Sequence, residues 1–251
     1  MDLALVYAAL QRRRYKWFHR RLAAVASPSG VVSFTFDDFP ATAADAAARM
    51  LEREGLRGTF YLAPGLVDSE SPVGAVCSRA DLERLHHVGH EIGNHTYSHA
   101  NCTNASKAVL LDEVNRSQSV LTQFSCTRHF AFPFGAYDEA ALMLLGKHFD
   151  TLRTVDRGVN SGVIDLNRLR AFPIYESSAP EELEALIQQA RDESGWLILY
   201  THDVCESPSS FGCTPARFGS VIAQVKNAGL AVRTVGDVYR SMLTRKSSNE
   251  R

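Results

Sequence analysis

The chain is poor in the features that mark several large protein classes. It has five cysteines, at positions 77, 102, 126, 205 and 213, and no C-x-x-C pair. The odd number and the missing pair indicate neither a full disulfide framework nor a cysteine zinc site; a reducing compartment is the simpler expectation, with a Cys205 to Cys213 loop bridge left open. No apolar run reaches the length of a membrane span. The opening MDLALVYAAL is too short, and its basic residues follow it, whereas a secretory signal has them in front. Neither a transmembrane helix nor a signal peptide is therefore expected, which makes a cytoplasmic location the expectation. A formal net charge of -1 provides no excess of positive charge to attract nucleic acid. Internal repeats, low-complexity tracts and linkers long enough to divide domains are also missing.

What is present is an ordinary globular composition, 45% hydrophobic and 22% charged in 251 residues, enough for one large core. Residues 11–21, QRRRYKWFHRR, carry six Lys or Arg among aromatics. Such a run is either a solvated helix face or a peripheral membrane contact reading anionic headgroups. The organisation expected is a helical, basic N-terminal extension over 1–28, one folded unit over 29–245 and a polar tail over 246–251.

Within that unit, short segments rich in β-branched and aromatic residues alternate with stretches of helical periodicity, the pattern of βα units around a parallel sheet. Strand candidates are VVSFTFDD (31–38), GTFYLAPG, HEIGNH, HFAFPFG (129–135), DTLRTVD (150–156), LRAFPIY (169–175), GWLILYTHD (195–203) and GLAVRTV (229–235). Thr42, Ser78, Ser106, Asp138, Ser178 and Thr214 stand where helices should begin, with Pro180 and Pro215 in first turns. An α/β fold follows, a single-domain distorted (β/α) barrel of seven or eight strands. Reactive groups in such barrels sit at the C-terminal ends of the strands, where the βα loops converge on one mouth.

The polar residues fall there. Asp37 and Asp38 end an apolar strand, and carboxylates at such a place are costly unless a metal or a partner takes them up. His95 and His99 are four residues apart, so a helical turn would put both imidazoles on one face to share an ion. With a carboxylate they make three ligands and leave positions open for water and substrate, as a catalytic rather than structural metal requires. His202 follows the strand Trp196 to Thr201 and can deliver a proton at physiological pH. His86, His87 and His90, on a helix and its exit, look like bystanders.

Thr35-Phe-Asp-Asp38, His95-Thr-Tyr-Ser-His99, Phe132-Pro-Phe-Gly135 and Leu199-Tyr-Thr-His202 together resemble the successive motifs of the polysaccharide deacetylase family, the NodB homology domain of carbohydrate esterase family 4, over roughly residues 31–240. The resemblance implies a divalent metal held by Asp38, His95 and His99, with Asp37 as general base and His202 as general acid. It assigns the oxyanion donor to the backbone N–H of Phe134, fixed by Pro133 and Gly135. It also implies a hydrolase that removes N-acetyl groups from an N-acetylhexosamine-containing glycan or sugar conjugate. Zinc suits the His2Asp set, and cobalt, nickel or manganese are compatible with it.

Two positions depart from the family pattern. Phe39 stands where the family has Gly and should narrow or reshape the groove. Ala131 stands where the family has the Arg that holds the base; Arg170, or less well Arg168, is the candidate to supply that guanidinium and orient Asp37. The family's Asp-and-Trp motif is not recognisable, which leaves the partner of His202 unassigned among Asp150, Asp156 and Asp165. These departures keep two other readings open: a related metal-dependent hydrolase of a non-sugar amide, imide or acetyl ester, and an inactive glycan-binding member.

Overall fold

The computed structural model describes residues 10–16, 19–25, 29–124 and 128–249. The apolar opening up to residue 9, Trp17 and Phe18 of the basic run, residues 26–28, Cys126 and the last two residues lie outside the described part.

The strands Val31–Phe36 and Trp196–Thr201 are apolar along their whole length and buried at every residue. Strands of that kind need cover on both faces, which a parallel sheet with helices outside provides. The two pair in parallel over all six residues. The other edge of Val31–Phe36 is shared by two strands. Ala231–Val232 pairs with its start, and Thr59–Leu62 pairs with its end. The sheet continues through Glu91–Asn94, His129–Ala131 and Thr151–Arg153, all in parallel. Segment 169–174 then joins the two edges. Leu169 N–H donates to the Leu152 carbonyl at 2.9 Å, and Ile174 N–H to the Tyr200 carbonyl at 2.8 Å. Phe172–Pro173 pairs with Leu199–Tyr200. The sheet is thus curled into a distorted single-domain (β/α) barrel, closed by a short seam.

Phe34, Phe36, Phe60 and Phe218 fill the space between the sheet and its helices, with the Phe36 and Phe60 rings stacked at 4.5 Å. Each such burial contributes roughly 2–3 kcal/mol from area alone. The Trp196 indole N–H reaches Ser33 Oγ at 3.0 Å, so even the polar tip of the largest core residue is satisfied.

Ser78, Ser106, Asp138 and Thr214 each accept the N–H three residues on, capping the helices Arg79–His87, Lys107–Leu121, Glu139–Leu145 and Pro215–Asn227. One expected cap is not a cap. Thr42 is itself helical and makes no cap bond, because Pro40 already accepts the N–H groups of Ala43 and Ala44 and the chain enters the wide turn Ala43–Ala47 directly. The helix expected to begin near Ser178 is Pro180–Asp192, with Pro180 in its first turn, Ala179 before it and the Ser178 hydroxyl accepting from Tyr175 N–H.

Part of the expected N-terminal extension is bound to the barrel. Leu22–Ala24 pairs antiparallel with Val163–Asp165, and the helix over 10–16 is docked by a 2.6 Å hydrogen bond from Tyr15 to Asp165. The last helix, Val235–Asn249, runs into the segment expected as a polar tail. The Cys205 and Cys213 thiols are free, so the loop bridge is absent. No helix among the described residues is long and apolar enough to cross a membrane.

Candidate metal centre

The exits of five strands meet at one mouth. Asp37 follows Phe36 and its N–H donates to the Thr201 carbonyl at 3.0 Å; His95 follows Asn94 and donates to the Leu62 carbonyl at 3.0 Å. Backbone conformation here is unusual. Asp38, Phe39, Thr96, His99 and Phe134 all have positive φ, between 52° and 63°. For residues with a Cβ this region is unfavourable by about 1 kcal/mol or more each, and such strain gathers at functional sites.

The His95 to His99 pair is not on a helix, contrary to expectation. Thr96 and His99, both left-handed, fold the chain back in an irregular turn that brings the ring centroids to 5.0 Å. Glu113, buried on Lys107–Leu121, braces this turn. Its carboxylate accepts the N–H of Tyr97 and of Ser98 and the Ser98 hydroxyl, at 2.8–2.9 Å.

Asp38 Oδ1 lies 2.9 Å from His99 Nε2 and 3.4 Å from His95 Nε2. One ligand atom from each of the three residues falls within 4.8 Å of the others, and Asp38 Oδ1 is buried without a hydrogen bond of acceptable geometry. An orphaned carboxylate oxygen between two imidazole nitrogens is a donor set for a divalent cation. His95 Nδ1 donates to the Ala131 carbonyl at 2.8 Å, which leaves the Nε2 lone pair free for the metal. Burial lowers the His95 pKa, keeping it neutral as a ligand must be. Burial pushes Asp38 upward, but the His95 and His99 contacts outweigh it and hold the carboxyl well below the usual range.

Asp37 is buried beside this set, and its partner is neither Arg170 nor Arg168. Arg153 Nη2 donates to Asp37 Oδ1 from a fully buried side chain. Arg170 is exposed next to Gly158, and Arg168 binds Asp156 and Tyr137. Arg153 is paired in register with Ala131, so the guanidinium missing from one strand arrives from its neighbour at the same level. The Tyr61 and Tyr200 rings lie 5.3 and 5.0 Å from it. The signal was legible: an Arg inside an apolar strand, as in Thr151–Arg153, is costly without a buried carboxylate.

His202 reaches the mouth from Trp196–Thr201, its Nε2 3.9 Å from Asp38 Oδ2. Its Nδ1 donates to the Phe211 carbonyl at 3.2 Å. A backbone oxygen thus orients this ring, while Asp150, Asp156 and Asp165 are engaged elsewhere. Asp203 pins the loop that supplies Phe211 by accepting Ser209 N–H at 2.7 Å.

Phe39 does not narrow the groove. Its left-handed backbone turns the ring into the core, 4.8 Å from Phe60. Phe134 is the aromatic that faces out. It is 69% exposed with its ring 4.3 Å from that of His99. Its N–H makes no hydrogen bond among the described residues. Pro133 starts this turn, and Gly135 has Val155 where a Cβ would lie. Phe211, half exposed, flanks His202 at 5.5 Å and is a site residue the sequence did not single out.

Residues 24–148, about half of the chain, match the sequence model of the family described as polysaccharide deacetylase. The chain belongs to the polysaccharide deacetylase family. Among curated relatives it is 22% identical over 215 residues to a chitin deacetylase of Arthroderma benhamiae, an alignment covering 83% of this chain and 52% of that protein. It thus spans about half the length of that relative. Among solved structures, the chitin deacetylase of Colletotrichum lindemuthianum superposes with a TM-score of 0.57 at 18% identity, covering 86% of this chain and 89% of that one. A family 4 acetyl xylan esterase from Clostridium thermocellum, solved with a cobalt ion, gives 0.58 at 22% identity, covering 84% and 90%. These two likenesses carry the polysaccharide deacetylase fold.

Proposed function

We propose that this protein is a metal-dependent hydrolase that removes N-acetyl groups from an N-acetylhexosamine-containing glycan or sugar conjugate. The observation that carries the reading is the convergence of Asp38, His95 and His99 next to a separate carboxylate, Asp37, with its own guanidinium and across from His202. Curated relatives that are chitin deacetylases support it.

Asp38, His95 and His99 would hold one divalent ion, and zinc suits this mixed nitrogen and oxygen set, with cobalt, nickel or manganese compatible. Such an ion supplies Lewis acidity, acidifying water and polarising an acetamide carbonyl. Asp37 takes the proton from the attacking water, and the Arg153 guanidinium holds that carboxylate in place. The N–H of Phe134, which has no acceptor among the described residues, donates to the developing oxyanion. His202 gives its Nε2 proton to the departing amine, which leaves poorly unless protonated, while Nδ1 stays on the Phe211 carbonyl. Acetate and a free amine result. Phe134 and Phe211 offer apolar surfaces on either side for the sugar ring.

The inactive-binder reading loses its main support, because Arg153 occupies the role vacated at Ala131. The test is acetate release from N-acetylglucosamine oligomers, stopped by a chelator, restored by a divalent ion and absent in Asp37→Asn. Release from acetyl esters but from no acetamide would transfer the same chemistry to an esterase; release from neither would defeat the proposal.

A further inference from the structure

The basic run noted in the sequence is not a loose arm, and its burial pattern is selective. Tyr15 and Arg21 turn inward. Arg21 donates to Asn167 at 2.7 Å and to the Asp150 carbonyl at 2.6 Å. Arg12, Lys16 and Arg20 turn outward into a cleft of about 600 Å³, whose facing wall includes Arg168 and Arg170. Two distant stretches of a chain with net charge -1 thus aim five cations at one space. Glu139 lies 3.8 Å from Arg12 and Asp165 lies 3.5 Å from Arg20, and Arg168 is held by Asp156. Lys16 and Arg170 have no acidic partner among the described residues. Converging like charges that their surroundings do not neutralise raise the local potential and draw an anion.

Apolar residues frame the same corner. In the pairing of Leu22–Ala24 with Val163–Asp165, Leu22 and Val163 point outward, 48% and 67% exposed, and Leu10 on the helix over 10–16 is exposed as well. A soluble phosphate would account for the cations but would leave these side chains without a role. A surface that is anionic at its face and apolar just beneath accounts for both. We infer that this corner docks on an anionic phospholipid surface, with a headgroup phosphate entering the cleft between Lys16 and Arg170. None of these residues belongs to the metal centre, so the inference is independent of the catalytic reading.

Sedimentation of the full chain with vesicles tests it. Phosphatidylcholine alone should retain little protein, and vesicles with about 30 mol% phosphatidylglycerol should retain most of it at low salt, less as salt rises. Lys16→Gln with Arg170→Gln should weaken that partitioning about thirtyfold, and Leu22→Ser with Val163→Ser several-fold. Unchanged thermal unfolding and unchanged hydrolysis of a soluble substrate would show that the variants remain folded. Equal binding to both vesicle types overturns the inference, as does binding of inorganic polyphosphate with none to vesicles, or indifference to the Lys16 and Arg170 changes in folded protein.

Discussion

The two ends of the barrel keep their polar groups in opposite states. At the strand entries, Glu91 accepts from Thr59 Oγ1 at 2.7 Å and from Gly236 N–H at 3.0 Å, so it caps the last helix. His129 shares a 2.9 Å bond with Thr151, and His90 accepts from Gly58 N–H and reaches Glu52. At the strand exits, Asp38 Oδ1, Tyr61 OH, Asn94 Nδ2 and two Arg153 nitrogens are buried without hydrogen-bond partners. Satisfied buried polar groups rigidify a structure, and unsatisfied ones weaken it until a ligand arrives. One end therefore maintains the barrel, while the other leaves polar groups unsatisfied at a cost in stability, as the proposed metal and substrate site requires.

The sharpest way to break this contrast is at the ligands. His95→Ala should lower acetate release by about three orders of magnitude or more and take bound metal from about one per chain to near none, read by elemental analysis. Metal-free stability should fall by about 1–3 kcal/mol, because the buried His95 ring also donates to the Ala131 carbonyl. Next comes Arg153→Met, which strands Asp37 as a buried, uncompensated charge and should cost about 3 kcal/mol in denaturant unfolding. Combining it with Asp37→Asn should restore most of that stability while activity stays lost.

At the entry end the effects should be on stability alone. Burial depresses the His90 pKa to about 4, despite the raising effect of Glu52. The unfolded chain then binds a proton that the folded one refuses, so this stability is complete above about pH 6.5 and is lost as pH falls toward 4. The loss should approach about 3 kcal/mol at most. His90→Gln should flatten unfolding free energy against pH over that window. Smallest is Glu91→Gln, which should cost about 1–2 kcal/mol by weakening the cap on Val235–Asn249 and leave acetate release unchanged.

Much of the site was legible because its chemistry is carried by residue type at strand ends. Asp37, Asp38 and His202 follow apolar runs, and His95 and His99 follow the short strand Glu91–Asn94, and a barrel gathers the exits of these strands into one mouth. The assignment of Arg170 failed for a physical reason. A guanidinium is long, and which strand delivers it depends on cross-strand register, here Ala131 opposite Arg153. The role given to Phe39 failed because a left-handed backbone reverses where a side chain points.

Alternating apolar strands and capped helices by themselves determined a (β/α) barrel, since such strands are stable only when covered on both faces. They also determined which polar residues would crowd its mouth. Only the tertiary structure decided that His95 and His99 meet through an irregular turn braced by Glu113, that a carbonyl orients His202, and that Arg153 serves Asp37. Each of these rests on distances between segments far apart in the chain, which register and backbone strain fix and residue order does not.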